Sequence, residues 1–362
     1  MKLAKFIFLL LSILLVANLG VGGTLEKAII TDLAGRKVEV PISANRIVAI
    51  GPGALRLVCY VNGVDKVVGV ENIEKEWSSI GRTYIMAYPE LKKLPVIGQG
   101  GPDSIPDAEK LVTVNPDVIF VAYLVDKKSA DELQAKTGIP VVVLSYGNLA
   151  TIDEDIYKSI NLIGKIIGQE KRAREVINYI KKTQRELSLR TKKIPDEKKL
   201  KVYVGALGMK GGHGIESTQA KYPPFAMINA KNVVDETGQR GSVMIEKEKL
   251  LVWDPDVIFI DLSNYNLVEQ DYRKDPQFYQ ELKAVKNGQV YGQLPFNFYT
   301  TNIDTAIADA YWAGKVLFPK QFKDIEPIKK ANEIYRFFLG KPLYDDLAKK
   351  YGGFTKLTIG GQ

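Results

Sequence analysis

Residues 109–120 read "EKLVTVNPDVIF" and residues 248–259 read "EKLLVWDPDVIF". Glu, Lys, Leu, Pro, Asp, Val, Ile and Phe coincide at the same eight places. In each copy a helical turn carrying Glu-Lys-Leu is stopped before the proline, because the residue ahead of a proline is pushed out of the helical region. The Asp-Val-Ile-Phe that follows opens the apolar run of a strand buried on both faces. Two copies of one helix-to-strand passage imply two equivalent α/β lobes in a single chain.

The surroundings of each copy agree. Short β-branched runs at Arg46–Ile50, Val67–Val70, Val118–Val121 and Val141–Leu144 alternate with helical patterns, which predicts βαβ units and a largely parallel sheet. Ahead of them Ile29–Val40 gives two extended runs around a turn at Gly35. A second set of strands is predicted at Leu200–Leu207, Val233-Val234, Val257–Ile260 and Val290-Tyr291, with helices from Thr305 onward. Between the copies Ile152, Ile156, Ile160, Ile163, Ile167, Val176, Ile180 and Leu187 form one apolar stripe. That stripe predicts one helix over Ile152–Leu189, with Gly164 and Gly168 as the points where it would relax. Such a helix is the natural strut between lobes. The predicted organisation is residues 1–23 as an export signal, 24–150 as the first lobe, 151–193 as the inter-lobe helix, and 194–362 as the second lobe with terminal helices.

Lys2 and Lys5, the apolar stretch Phe6–Ala17, and then Gly20, Gly22 and Gly23 follow the order of a secretory signal. The stretch is short for a membrane span, which needs roughly 20 apolar residues. The chain is therefore expected outside the cytoplasm, periplasmic or secreted, with a retained N-terminal anchor as the alternative. No cysteine follows the apolar segment closely, so a lipoprotein anchor is not expected. The 362 residues suit two lobes, and with 46% apolar and 25% charged residues they can bury cores without disulfides. The net charge of +8 is dispersed among acids rather than gathered in a basic run, so no nucleic-acid partner is expected. The single cysteine, Cys59, lies in an apolar run and is expected to be a buried small hydrophobe. With one cysteine and one histidine, His213, no zinc cluster of those ligands can be assembled.

Several further stretches resemble the periplasmic binding proteins for ferric siderophores, heme and cobalamin. They are "TDLAGRKVEVP", "NRIVAI", "VDKVVGV", "YPELKKLPVIG", the inter-lobe "INLIGKIIGQEKRAREVI" and both repeats, in that order between about Ile29 and Pro319. The resemblance implies an α/β fold of two Rossmann-like lobes joined by one long rigid helix, the class III arrangement, with the ligand between the lobes. It implies the solute-binding component of an ABC importer rather than an enzyme, working as a monomer with no cofactor of its own. It also implies that one surface glutamate per lobe docks on arginines of the dimeric membrane permease, and the repeat places those at Glu109 and Glu248. Paired carboxylates at a fixed separation can meet two symmetric arginines bidentately.

Ligands of open α/β sheets lie outside the carboxyl ends of the strands. The loops to watch are Gly51–Gly53, Glu71 to Trp77, Gln99–Gly101 and Tyr123 in the first lobe. In the second they are Met209–Thr218, Ser263–Asn266 and Asn297–Asn302. Within them Lys210, His213 and Glu216 share a glycine-rich loop, where the cations suit an anionic chelate. Trp77 and Tyr299 are candidate aromatic walls for a bulky ligand. Trp253 and Trp312 read as packing residues. No resident metal is expected, and one histidine argues against a bare divalent-metal carrier. The expected cargo is an iron(III) complex of siderophore type. The alternatives are cobalamin, heme, bare Fe³⁺ held by Tyr299, Glu216 and His213, or an exported α/β enzyme. Against an enzyme stand the missing Gly-x-Ser-x-Gly elbow, phosphate loop and second histidine.

Overall fold

Each lobe is built around the strand that its repeat enters. The computed structural model describes residues 26–101, 104–122, 126–147, 152–208 and 211–361, so the expected export signal lies outside the described residues. The chain opens with the hairpin β1 (Lys27–Thr31) and β2 (Lys37–Pro41), turning at Gly35. The first sheet holds β3 (Ile47–Ile50), β4 (Val67–Gly69), β5 (Val118–Ala122) and β6 (Val141–Leu144), all parallel, in the order β4-β3-β5-β6. The second half contributes β7 (Lys201–Gly205), β8 (Ser217–Ala220), β9 (Lys231–Asn232), β10 (Gly241–Met244), β11 (Val257–Asp261), β12 (Val290–Gln293) and β13 (Thr355–Leu357). Its sheet runs β13-β12-β11-β7-β9, parallel except for β13, while β8 and β10 form a separate antiparallel ribbon. The repeat strands β5 and β11 thus lie in different sheets, each beside the first strand of its own sheet.

The two copies agree in detail. Asn115 and Asp254, just ahead of the prolines, both take left-handed backbone (φ 44° and 41°), a conformation that asparagine and aspartate tolerate best after glycine. The aspartate after each proline pins the neighbouring strand. Asp117 Oδ2 accepts from the amides of Asn45 and Arg46 at 2.9 Å, and Asp256 Oδ2 accepts from Lys201 N at 2.8 Å. The shared Pro-Asp is therefore the device that sets the register of β3 with β5 and of β7 with β11.

The inter-lobe segment corrects the expectation of one helix. Ile152–Leu189 is broken at Gly168 (φ 71°) into helices Glu154–Ile166 and Glu170–Thr191, which fold back on each other. Lys181 Nζ meets Glu154 Oε1 at 3.0 Å and Tyr157 OH donates to Gln184 Oε1 at 2.8 Å, as antiparallel pairing requires. Gly164 permits the close approach, since a Cβ there would lie 2.5 Å from that of Ala173. Only the second helix, 22 residues and about 33 Å long, joins the lobes. It starts where Arg172 Nε donates to Tyr60 O and ends where Thr191 Oγ1 donates to Ile228 O. Its stripe Ala173, Val176, Ile180, Thr183 and Leu187 is buried. A second correction concerns Val233-Val234, which lies not in a strand but in a 3₁₀ turn, Val233–Thr237, capped by the Asn232 side chain.

One apolar core continues through both lobes, from Ile47 and Phe120 through Val176 and Ile180 to Phe259, Ile307 and Phe338. The terminal helices are shared rather than belonging to the second lobe alone: Tyr351 OH donates to Ile80 O at 3.0 Å and Lys341 Nζ reaches Ala87 O. Cys59 is buried as expected, and Trp312 packs with its Nε1 donating to Gly292 O at 2.9 Å.

The opening hairpin is held by a buried ion pair. Arg36 donates to Asp32 Oδ2 at 3.0 Å, Asp131 Oδ1 at 2.7 Å and Val141 O at 2.9 Å, while Leu33 N bonds Val143 O. Removing one partner of a buried pair leaves the other charge uncompensated, at roughly 3 kcal/mol. Arg36→Leu should therefore lower the free energy of unfolding by about that amount, seen as a lower urea midpoint at unchanged slope. Unfolding curves for the two proteins check it, and superimposable curves would show that the hairpin adds nothing to the lobe.

Candidate ligand-binding site

The carboxyl ends of β3 and β4 in the first lobe and of β12 in the second are where loops from the two halves meet. The stretch Asn297–Asn302, between β12 and the helix Ile303–Leu317, crosses to the first lobe and is held there from several sides. Arg56, fully buried on the helix Ala54–Tyr60, donates to Phe298 O (2.8 Å), Tyr299 O (3.1 Å) and Asn302 Oδ1 (2.9 Å). Asn302 Nδ2 donates in turn to Gly81 O at 2.9 Å. These bonds enforce left-handed backbone at two consecutive residues, Tyr299 (φ 57°) and Thr300 (φ 64°). For a β-branched threonine that is strained, and such strain persists only where its surroundings over-determine it. Gly53 makes the crossing possible, because a Cβ there would lie 2.3 Å from Thr300 Cγ2 and 2.5 Å from the Tyr146 ring.

Tyr299 is thereby aimed into the first lobe. Its hydroxyl donates to Glu71 Oε2 at 2.9 Å and accepts from Gly101 N at 3.0 Å, and Gly51 N donates to the same carboxylate oxygen at 3.1 Å. Trp77, partly exposed, lies edge-on to Tyr299 with ring centres 5.5 Å apart and is stacked on Phe298 at 6.0 Å. Two of the anticipated residues, Trp77 and Tyr299, are thus brought together from opposite lobes. Nearby, Glu74 is buried against Arg82 and accepts from Tyr84 OH, so that carboxylate is neutralised within the first lobe.

The remaining anticipated residues are carried by other segments of the chain. Lys210, like Tyr123, is outside the described residues. His213 is half-buried on the loop after β7, next to Gly212, which packs against Asn264 and Leu267 at the start of the helix Tyr265–Lys274. Glu216 sits at the foot of β8, its carbonyl accepting from Ile245 N beside the second repeat, and its charge acts on Lys247 and Tyr279 rather than on Tyr299. Glu109 and Glu248 are both exposed, each in the first turn of its repeat helix, Ala108–Thr113 and Lys247–Trp253. A helix that feeds a parallel strand runs back against it, so each glutamate faces the carboxyl-end side of its sheet. Among the described residues no group of three His, Cys, Asp or Glu is placed to hold a metal ion. A groove of about 430 Å³ lies away from these loops, along the Glu170–Thr191 helix. Within its lining Arg190 pairs with Glu186 and Asp324, and Lys330 with Glu333.

Reading the sequence missed Glu71, Arg56, Phe298 and Asn302 as site residues. The loops that carry Glu71, Phe298 and Asn302 were marked by their position after strands. Arg56 carried no signal, since an arginine in an apolar helix reads as solvent-facing until its acceptors arrive from 240 residues away.

Burial pushes the Glu71 carboxyl up to about 7, against the opposing hydrogen bonds from Tyr299 and Gly51. Burial, and then the Glu71 charge, push Tyr299 well above the usual phenol range. Burial likewise lifts Asp261, at the end of β11, to about 6. A carboxyl whose folded value is raised contributes stability that is complete below its unfolded value, here about 4.5, and is lost as the pH rises through about 7. Stability should therefore fall between about pH 5 and pH 8, by up to ~3 kcal/mol for Glu71. Glu71→Gln should flatten that part of the profile in chemical denaturation. A profile unaltered by the substitution would mean that Glu71 titrates as in the unfolded chain.

Comparison with known proteins gives the same fold. Residues 47–294 match the model of the periplasmic binding protein family. The molybdate-binding protein MolA of Haemophilus influenzae is 25% identical over 335 residues, covering 87% of this chain and 91% of MolA. Its molybdate-bound structure, a periplasmic binding protein of an ABC transporter, superposes with a TM-score of 0.68 over 87% of this chain and 98% of its own. A periplasmic solute-binding protein of Veillonella parvula superposes with a TM-score of 0.69 at 22% identity, over 90% of this chain and 97% of that one. The Fe(3+)-citrate-binding protein of Bacillus subtilis is 26% identical over 191 residues, 53% of this chain and 58% of that protein. With most of both lobes inside the match, this chain belongs to the periplasmic binding protein family.

Proposed function

We propose that this solute-binding component of an ABC importer captures an iron(III) complex outside the cytoplasm and hands it to a dimeric permease. The observation that carries the choice of ligand is the hydrogen bond of Tyr299 to Glu71 across the lobes. A phenol and a carboxylate brought together from opposite lobes are hard oxygen donors of the kind that suits a highly charged ferric centre. The partly exposed Trp77 beside them offers an aromatic face to a chelator. The buried cations of the same region are already engaged, Arg56 on carbonyls and Arg82 on Glu74, which disfavours a bare oxyanion there. On this reading Lys210 and His213 complement the negative charge of the chelate from the other lobe. The likeness to an Fe(3+)-citrate binder supports the choice.

A second reading is kept by one observation: a relative that covers 87% of this chain is named for molybdate. Calorimetric titration with ferric citrate, a catecholate ferric siderophore, heme, cobalamin and molybdate separates the readings. An iron(III) complex should bind, and both Tyr299→Phe and Glu71→Gln should weaken it by about tenfold or more. Binding of molybdate alone would replace the iron reading, and turnover of any of these compounds would replace binding by catalysis. Among the described residues no helix is long and apolar enough to cross a membrane. On this reading residues 1–23 act as the export signal, and the N-terminus of the mature protein tests that directly.

Docking rests on the paired carboxylates. Replacing Glu109 and Glu248 together with alanine should abolish uptake by cells while leaving ligand affinity unchanged. Weakened ligand affinity in that variant would move these glutamates from the permease surface to the ligand site.

A further inference from the structure

Nine large apolar side chains are exposed among the described residues, and four of them lie on or just ahead of the two repeats: Val112 and Val252 within them, Ile105 and Met244 four residues before their first residue. Scattered single exposures need no explanation, but concentration on two short equivalent stretches does. Ile105 stands four residues before Glu109, and Met244 stands four residues before Glu248. They are 87% and 52% exposed, although their local structure differs: Ile105 lies in an irregular lead-in and Met244 ends β10, paired with Ser217. Between each apolar residue and its glutamate the helix begins, and the leucine two places beyond the glutamate, Leu111 or Leu250, is buried. The same three-part face, apolar residue outside, acid outside, leucine anchor inside, is thus presented once on each lobe.

We propose that Ile105 and Met244 are the apolar half of a two-point docking surface, each seating in a recess next to the cationic group that meets Glu109 or Glu248. This rests on the permease-docking role of those glutamates and adds the part of the interface that resists dissociation. The occupant is a two-fold symmetric membrane protein, because a partner with two like halves is what a duplicated face on a pseudo-symmetric molecule fits. Carboxylates at an exposed rim speed and orient encounter and are weakened by salt. Apolar side chains that lose water on contact act chiefly on the off-rate.

The two contributions separate in binding kinetics with the full chain and its cognate permease–ATPase complex in lipid nanodiscs, at low and at high salt. Ile105→Asn with Met244→Asn should raise Kd by on the order of tenfold, through faster dissociation and with the salt dependence unchanged. Each single substitution should give a comparable share. The Glu109→Ala, Glu248→Ala variant should instead slow association and flatten the salt dependence. Ile328→Asn, at an exposed apolar residue outside the repeats, should match the unmodified protein. Unchanged thermal midpoints and ligand affinities establish that every variant is folded. If the Ile105, Met244 variant dissociates like the unmodified chain while the glutamate variant fails to bind, the apolar half of the surface is refuted and the glutamate docking stands. If the glutamate variant binds like the unmodified chain, or the unmodified chain does not bind, both are refuted.

Discussion

The molecule depends on one rigid distance, the length of the Glu170–Thr191 helix. Helices in proteins owe most of their stability to the packing of an apolar face, and this one buries its stripe against elements of both lobes. Because one core runs from the first sheet through this helix to the second, the lobes cannot separate without exposing apolar surface. The two repeat helices, Ala108–Thr113 and Lys247–Trp253, are fastened to their sheets by buried leucines. Their exposed glutamates are consequently held at a separation set by the fold rather than by surface loops.

Where the loops of the two lobes meet, a different constraint applies. The loop Asn297–Asn302 is strained at two residues and is held by Arg56, Asn302 and the gap left by Gly53. What that arrangement achieves is the delivery of one hydroxyl, from Tyr299, to one buried carboxyl, on Glu71. Burial raises that carboxyl to about 7, so it gives up its proton near neutral pH rather than in acid.

The duplication was legible because it is written in local chemistry: a proline stops a helix, an aspartate pins the next strand, and four apolar residues fill a sheet. Strands β3, β5, β6, β11 and β12 follow from period and composition alone. The break at Gly168 was signalled by its glycine, yet an unbroken apolar stripe reads the same whether a helix continues or folds back, since both bury one face. Val233-Val234 reads as a strand from its β-branched residues, but the Asn232 cap draws the chain into a turn. At the site Trp77 and Tyr299 could be picked out by residue type and by position after strands. Glu71 was marked only as the start of a loop and Arg56 not at all, because their partners lie more than 200 residues away and only the docking of the loop reveals them. Glu216 shared a loop with His213 but leaves it along β8 toward the second repeat, a direction that spacing alone does not encode.

Spin labels on Lys110 and Lys249, the exposed residues that follow the two glutamates, give the most direct test of the fixed separation. Electron–electron distance measurement should return one narrow distribution that shifts only slightly when ligand is added. A broad or two-peaked distribution in the unliganded protein would contradict the account, since the paired faces would then have no set distance to present.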